Sequence, residues 1–68
     1  MALYIGDRIR LHAAEVEPGH RLVHQDARDG WIEVEEVGRR AGGEIVLHFA
    51  NGEEDSYEPG DVLFRVAS

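Results

Sequence analysis

Apolar and polar residues alternate over short runs along this chain, and glycine or proline pairs separate the runs. Alternation with a period of two puts successive side chains on opposite faces of a strand. Arg8 to His12 has Ile9 and Leu11 on one face and Arg8, Arg10 and His12 on the other, which predicts a half-buried first strand. Trp31 to Val37 predicts a second, in which Ile32 and Val34 share a face and Val37 falls on the opposite parity. A bulge near Glu35-Glu36 would bring all three to the core. Glu44 to Ala50 predicts a third strand with Ile45, Leu47 and Phe49 inward. Glu53 to Tyr57 predicts a fourth, whose charges suit an edge because acids discourage pairing with another chain. Val62 to Val66 predicts a fifth with Val62, Phe64 and Val66 on one face. The expected core is Ile9, Leu11, Ile32, Val34, Ile45, Leu47, Phe49, Val62 and Phe64.

The punctuation is equally specific. Asn51-Gly52 lies between two strand patterns and predicts a two-residue type I′ hairpin turn, which needs φ > 0 at both central residues. Glu58-Pro59-Gly60-Asp61 predicts a sharp corner before the last strand. Pro18-Gly19 predicts a turn, since proline presets φ and glycine supplies φ > 0. It lies in an excursion over residues 13–29 that ends in a second turn signal, Asp29-Gly30. A structureless loop of that length is unusual in so small a domain, so Val16, Leu22 and Val23 are expected to form an extra hairpin or ordered loop. No helix longer than a turn is expected. The reading is all-β: one domain over residues 1–68, a five-stranded small barrel with an addition at 13–29.

Composition narrows the class. A chain of 68 residues has a marginal core, and without cysteine it has no disulfide or thiolate metal site to support it. A second copy of the chain is the remaining source of support, so a homo-oligomer is compatible with this size. No run approaches the ~18 apolar residues of a membrane span. The opening Met1-Ala2-Leu3-Tyr4-Ile5 lacks the basic start and long apolar stretch of a signal peptide. The expectation is a cytoplasmic protein with no membrane role.

Charge changes the picture more. Fourteen acids face seven bases, for a net charge of −7, and every base is arginine. Residues 41–68 hold six acids against Arg65 alone, whereas residues 1–30 are nearly balanced, with five acids and four arginines. Net negative charge repels phosphate backbones and favours cationic partners. Arg8 and Arg10 on the first strand and Arg39-Arg40 in a glycine-flanked turn are expected to pair with the surrounding acids.

Three segments together resemble the Tudor-like branch of the SH3-like barrels. Asp29-Gly30-Trp31-Ile32-Glu33-Val34 looks like the family's Asp-Gly-aromatic start of the second strand. Val46-Leu47-His48-Phe49-Ala50-Asn51-Gly52 looks like its central hairpin. Tyr57-Glu58-Pro59-Gly60-Asp61-Val62-Leu63 is similar to its single turn before the last strand. The resemblance covers residues 29–66 and implies a ligand groove at one end of the barrel, with Trp31 as one wall. In the family that groove is often an aromatic cage for methylated lysine or arginine, a pattern from which this chain departs. The chain has five aromatics, and Phe49 and Phe64 fall in core parity.

The candidate chemistry is binding without catalysis. Trp31, Tyr57, Asn51, Glu53, Glu54 and Asp55 are the candidate binding residues: an acidic groove with an aromatic floor for a cationic protein segment. The carboxylates would steer the partner and the aromatic would anchor it. No metal, cofactor or catalytic residue is expected. His20 and His24, four apart in a strand-like segment, lie some 13 Å from each other at ~3.3 Å per residue. Glu53-Glu54-Asp55 lacks the ligand spacing and glycine of a calcium loop. Three alternatives rank lower. One is a nucleic-acid or ribosome-associated barrel of the KOW type, which the charge disfavours. Another is an acidic DNA mimic. The last is an oligomeric enzyme like the type II dihydrofolate reductases, whose opening resembles Gly6-Asp7-Arg8-Ile9-Arg10 but whose shared pore would here be lined with acids.

Overall fold

The computed structural model describes residues 4–67 and is all-β. Its strands are β1 (Arg8–His12), β2 (Arg21–Val23), β3 (Trp31–Arg39), β4 (Ile45–Phe49), β5 (Glu54–Tyr57) and β6 (Val62–Val66). A single 3-10 turn, Ala13–Glu15, follows β1. The strands form one antiparallel sheet in the order β1-β6-β2-β3-β4-β5, with β1 and β5 at its open edges. This is a six-stranded open sheet, compatible with a small barrel-like fold, in place of the expected five-stranded closed barrel. No helix among the described residues is long and apolar enough to cross a membrane.

The sixth strand is the unexpected one. Residues 13–29 do not zip onto themselves. Instead β2 inserts between β3 and β6, with Leu22 opposite Ile32 on one side and Arg65 on the other. The reason is packing: Leu22 gains a fully lined site at 4% exposure, which a lone hairpin in the loop would not supply. Val16 is also buried, as an outlier from the turn after the 3-10 segment. Pro18-Gly19 makes the expected turn, in which the His20 N–H donates to the Glu17 carbonyl at 3.1 Å and Gly19 has φ 95°.

β3 serves both halves of the sheet. Its first residues pair with β2 and its later ones with β4. The register shifts between Val34 and Glu36, at the bulge that the parity of Val37 predicts. Across that shift Ile32 and Val34 stay buried and Val37 packs against the same core. β3 also runs through Gly38 to Arg39, two residues further than the apolar pattern implies.

Two local expectations change. No described residue other than glycine has positive φ, so Asn51 does not adopt the type I′ conformation. The hairpin instead has a three-residue loop, Ala50 to Gly52. The Phe49 N–H donates to the Glu53 carbonyl at 2.8 Å, the Gly52 N–H to the Phe49 carbonyl at 3.0 Å, and Gly52 alone has φ 90°. A turn closed by a glycine of positive φ is the usual three-residue solution. The facing of β6 is also the reverse of the expectation at Val62 and Phe64, whereas Val66 is buried. β6 pairs with β1 so that Leu63 lies opposite Leu11 and Phe64 opposite Arg10. Leu63 therefore packs against the core, while Val62 and Phe64 are 43% and 40% exposed. Ile9 keeps its inward parity but lies on the edge strand opposite Arg65, and is 39% exposed. The rest of the expected core holds: Leu11, Ile32, Val34, Ile45, Leu47 and Phe49 are buried.

A candidate cation-binding cleft beside the β4–β5 hairpin

β4 and β5 run antiparallel with Leu47 opposite Asp55 and His48 opposite Glu54. The alternation of β5 sends Asp55 and Tyr57 toward the body of the sheet, where both are half-buried, and leaves Glu54 and Ser56 exposed. On the other side, the segment after β2 turns back, with the His24 N–H bonded to the Gly30 carbonyl at 2.9 Å. That turn carries His24 to the rim of the core, where its ring meets Phe49 edge-on at 6.0 Å. Between the two segments lies an open cleft of about 450 Å³, lined by His24, Asp26, Glu53, Glu54 and Asp55.

Each carboxylate of the hairpin is held in place. The Asn51 amide donates to Glu53 Oε2 at 3.0 Å, and Asn51 Oδ1 accepts the Glu53 N–H at 2.9 Å. Glu54 Oε2 lies 3.2 Å from His48 Nδ1 on the facing strand. Asp55 Oδ2 accepts from the Tyr57 hydroxyl at 3.3 Å and lies 3.6 Å from His24 Nε2. Burial of the Tyr57 ring, then the charge and hydrogen bond of Asp55, then the charge of Asp61, push the Tyr57 hydroxyl up to about 12. Tyr57 therefore stays protonated and keeps donating to Asp55 throughout the neutral range.

The sequence-predicted residues separate into two groups. Glu53, Glu54 and Asp55 line one cleft, and Asn51 and Tyr57 each bond to one of those acids. Trp31 is not among the residues lining this cleft. It starts β3 opposite Val23, with the Arg21 guanidinium 5.2 Å from its ring centre. His24 and Asp26 complete the cleft and were not legible as site residues. His24 lies 31 positions before Asp55, and only the insertion of β2 brings the two together. Among the described residues no three histidines or carboxylates converge as a metal site would need. A second open cleft, of about 460 Å³, lies on the far side of the 24–26 segment and includes Tyr4, Arg8, Val23 and Gln25.

Four carboxylates and one histidine line the first cleft, and no arginine does. Like charges held together at a half-open surface attract a guanidinium or ammonium and steer it over a Debye length of about 8 Å at physiological salt. Comparison with protein-family models, with curated proteins and with solved structures finds no match for this chain.

Proposed function

We propose that this protein is a non-enzymatic binding module whose acidic cleft receives an arginine or lysine of a cationic protein segment. The observation that carries this reading is the convergence of Asp26, Glu53, Glu54 and Asp55 on one cleft without a lining cation. Hydrogen bonds from Asn51 and Tyr57 support it, because they hold two of the acceptors ready before a ligand arrives. The aromatic side of the cleft is the His24 ring, seated on Phe49, in the role that Trp31 has in the sequence reading. We read the strand arrangement as a relative of the SH3-like and Tudor-like barrels, opened by the intercalated β2. On that reading the cleft beside the central hairpin corresponds to the ligand end of the barrel.

A fluorescently labelled arginine-rich peptide tests this by anisotropy across a salt series. Binding is expected at low salt, weakening steeply as salt rises. The variant carrying Glu53→Gln, Glu54→Gln and Asp55→Asn is expected to lose at least tenfold in affinity. Trp31→Ala is expected to bind as the wild type does. Equal binding by the neutralised variant sinks the proposal.

A further inference from the structure

His20 and His24 stand at the two ends of β2, the strand through which β6 reaches β3. β2 has three residues, and only Leu22 at its centre is buried. Alternation puts both histidines on the Leu22 side of the strand. Each ring closes a turn. His20 Nδ1 accepts the Glu17 N–H at 3.1 Å across Pro18-Gly19. His24 Nδ1 accepts the Asp26 N–H at 3.3 Å in the turn that leaves β2. A backbone N–H can only donate, so in both turns Nδ1 carries a lone pair, and the ring is neutral with its proton on Nε2. An imidazolium has a proton on both nitrogens and accepts nothing.

The two ends differ in the charges around the ring. His24 Nε2 lies 3.6 Å from Asp55 Oδ2, and Asp26, Glu53 and Glu54 line the same cleft. The Tyr57 hydroxyl that bonds Asp55 stays neutral wherever histidine titrates. Arg8 lines the cleft on the other side of His24 and donates to the Tyr4 carbonyl at 2.7 Å, in place of the acid expected for it. A charged His24 is thus held by Asp55 after its turn bond is lost. His20 has no such counter-charge, since no carboxylate of the described residues forms an ion pair with it. Glu17 of its own turn and Glu33 and Glu35 of β3 are exposed. Arg21 alternates to the other side, against Trp31, and Arg65 of β6 lies opposite Leu22, a like charge on the His20 side. Across from His20 on β3 is the fully buried Val34. Its N–H donates to the His20 carbonyl and its carbonyl accepts the Gly19 N–H, both at 2.8 Å.

We infer that His20 is an acid-sensitive latch: its protonation opens the turn over residues 17–20 and frees that end of β2 from β3. The proton joins Nδ1 of the neutral ring. The Glu17 N–H then loses its acceptor, and two N–H groups point at each other across a hydrogen-bond distance. The half-buried ring relieves this by swinging to water, and the two Val34 bonds beside it go next. The closed turn holds only the neutral ring, whereas the open turn takes either form. Acid therefore favours the open turn. Closure is complete at the upper end of the range of about pH 5 to 8 in which histidine changes charge, and is lost toward the lower end. Opening uncovers Val16, Leu22 and Val34, which are at most 5% exposed in the closed form, so an apolar patch forms only in acid. His24 acts as the pivot, because Asp55 keeps its ring in place. The latch needs no ligand in the cleft.

Amide hydrogen exchange is the test, read by NMR at about pH 7.5 and about pH 5.5 and corrected for the intrinsic rate at each. Between these values histidine changes charge and ordinary carboxylates keep theirs. The Glu17, Gly19 and Val34 amides are expected to lose roughly tenfold or more in protection at the lower pH. The Phe49 amide, which bonds Glu53 across the hairpin, is expected to lose none. His20→Asn puts a carbonyl oxygen where Nδ1 stands, an acceptor that does not titrate, and is expected to keep full protection at both values. His24→Asn is expected to leave the acid loss at Glu17 intact. The imidazole nitrogen shifts of the wild-type chain test the closed state without any substitution. At the upper pH His20 is expected to show an unprotonated Nδ1 and a protonated Nε2. A protonated Nδ1 there overturns the inference, as does equal protection of the three amides at both pH values. A loss undiminished in His20→Asn, abolished in His24→Asn or shared by Phe49 overturns it too.

Discussion

Tyr57 gives a prediction in which sign and size both follow from the structure. Its hydroxyl is raised from 10.0 to about 12 by burial of the ring, by the charge and hydrogen bond of Asp55, and by the charge of Asp61. In the unfolded chain it ionises near its ordinary value. Between pH 10 and pH 12 the unfolded state therefore releases a proton that the native state retains. Stability is then present in full below pH 10 and is lost as pH rises through about 12. Two pH units correspond to about 3 kcal/mol, and solvent around a half-buried ring reduces this to roughly 1–2 kcal/mol. The measurement is urea unfolding at a series of alkaline pH values, paired with tyrosinate absorbance in a Tyr4→Phe background that leaves Tyr57 as the sole tyrosine. Tyr57→Phe should flatten the alkaline loss of stability. Asp55→Asn should lower the titration midpoint while burial still holds it above 10. A wild-type Tyr57 that ionises near 10.0, or a midpoint indifferent to Asp55→Asn, would refute this account of the site.

Two further perturbations probe the frame that holds the cleft. Leu47 is fully buried beneath the hairpin, and Leu47→Ala should cost about 2–5 kcal/mol in urea unfolding, enough to leave much of a domain this size unfolded. A cost under about 1 kcal/mol would show that Leu47 does not hold the core. Gly52 has φ 90°, and nothing lies within 4 Å of the place where a β-carbon would sit. Gly52→Ala should thus cost about 1–2 kcal/mol through the backbone alone, and Gly52→Asn less, as read from thermal unfolding.

How much of this was legible depends on what each residue's pattern could fix. The bulge in β3 was readable because Val37 breaks the parity set by Ile32 and Val34, and only an extra residue reconciles them. The facing of β6 was not, because Val62, Leu63, Phe64 and Val66 are all apolar and Arg65, the strand's one polar residue, lies on the same side as Leu63, which packs against the core. Its partner decides, and Leu11 on β1 selects Leu63. β2 was hidden for another reason. Three residues are too short for a periodic signal, and their second partner lies some forty positions on. The acids of the cleft were visible because they are contiguous. Their counterparts His24 and Asp26 were not, since an isolated histidine has no spacing to read, and Trp31 lies outside the cleft, against the Arg21 guanidinium.

The pairing of β1 with β6 also sets an order of events during synthesis. β3, β4 and β5 are consecutive neighbours joined by short connections, so they can assemble as soon as they leave the ribosome. β1 emerges first and has no strand partner until β6 follows, because Arg8 pairs with Val66 and His12 with Val62. For that interval Leu11 is an apolar residue on an unpaired strand, a hazard for aggregation. The flanking Arg8, Arg10 and His12 make that waiting strand repel its copies on neighbouring nascent chains. The same arginines thus guard the strand before its partner arrives, and the last step of folding joins the two most distant strands.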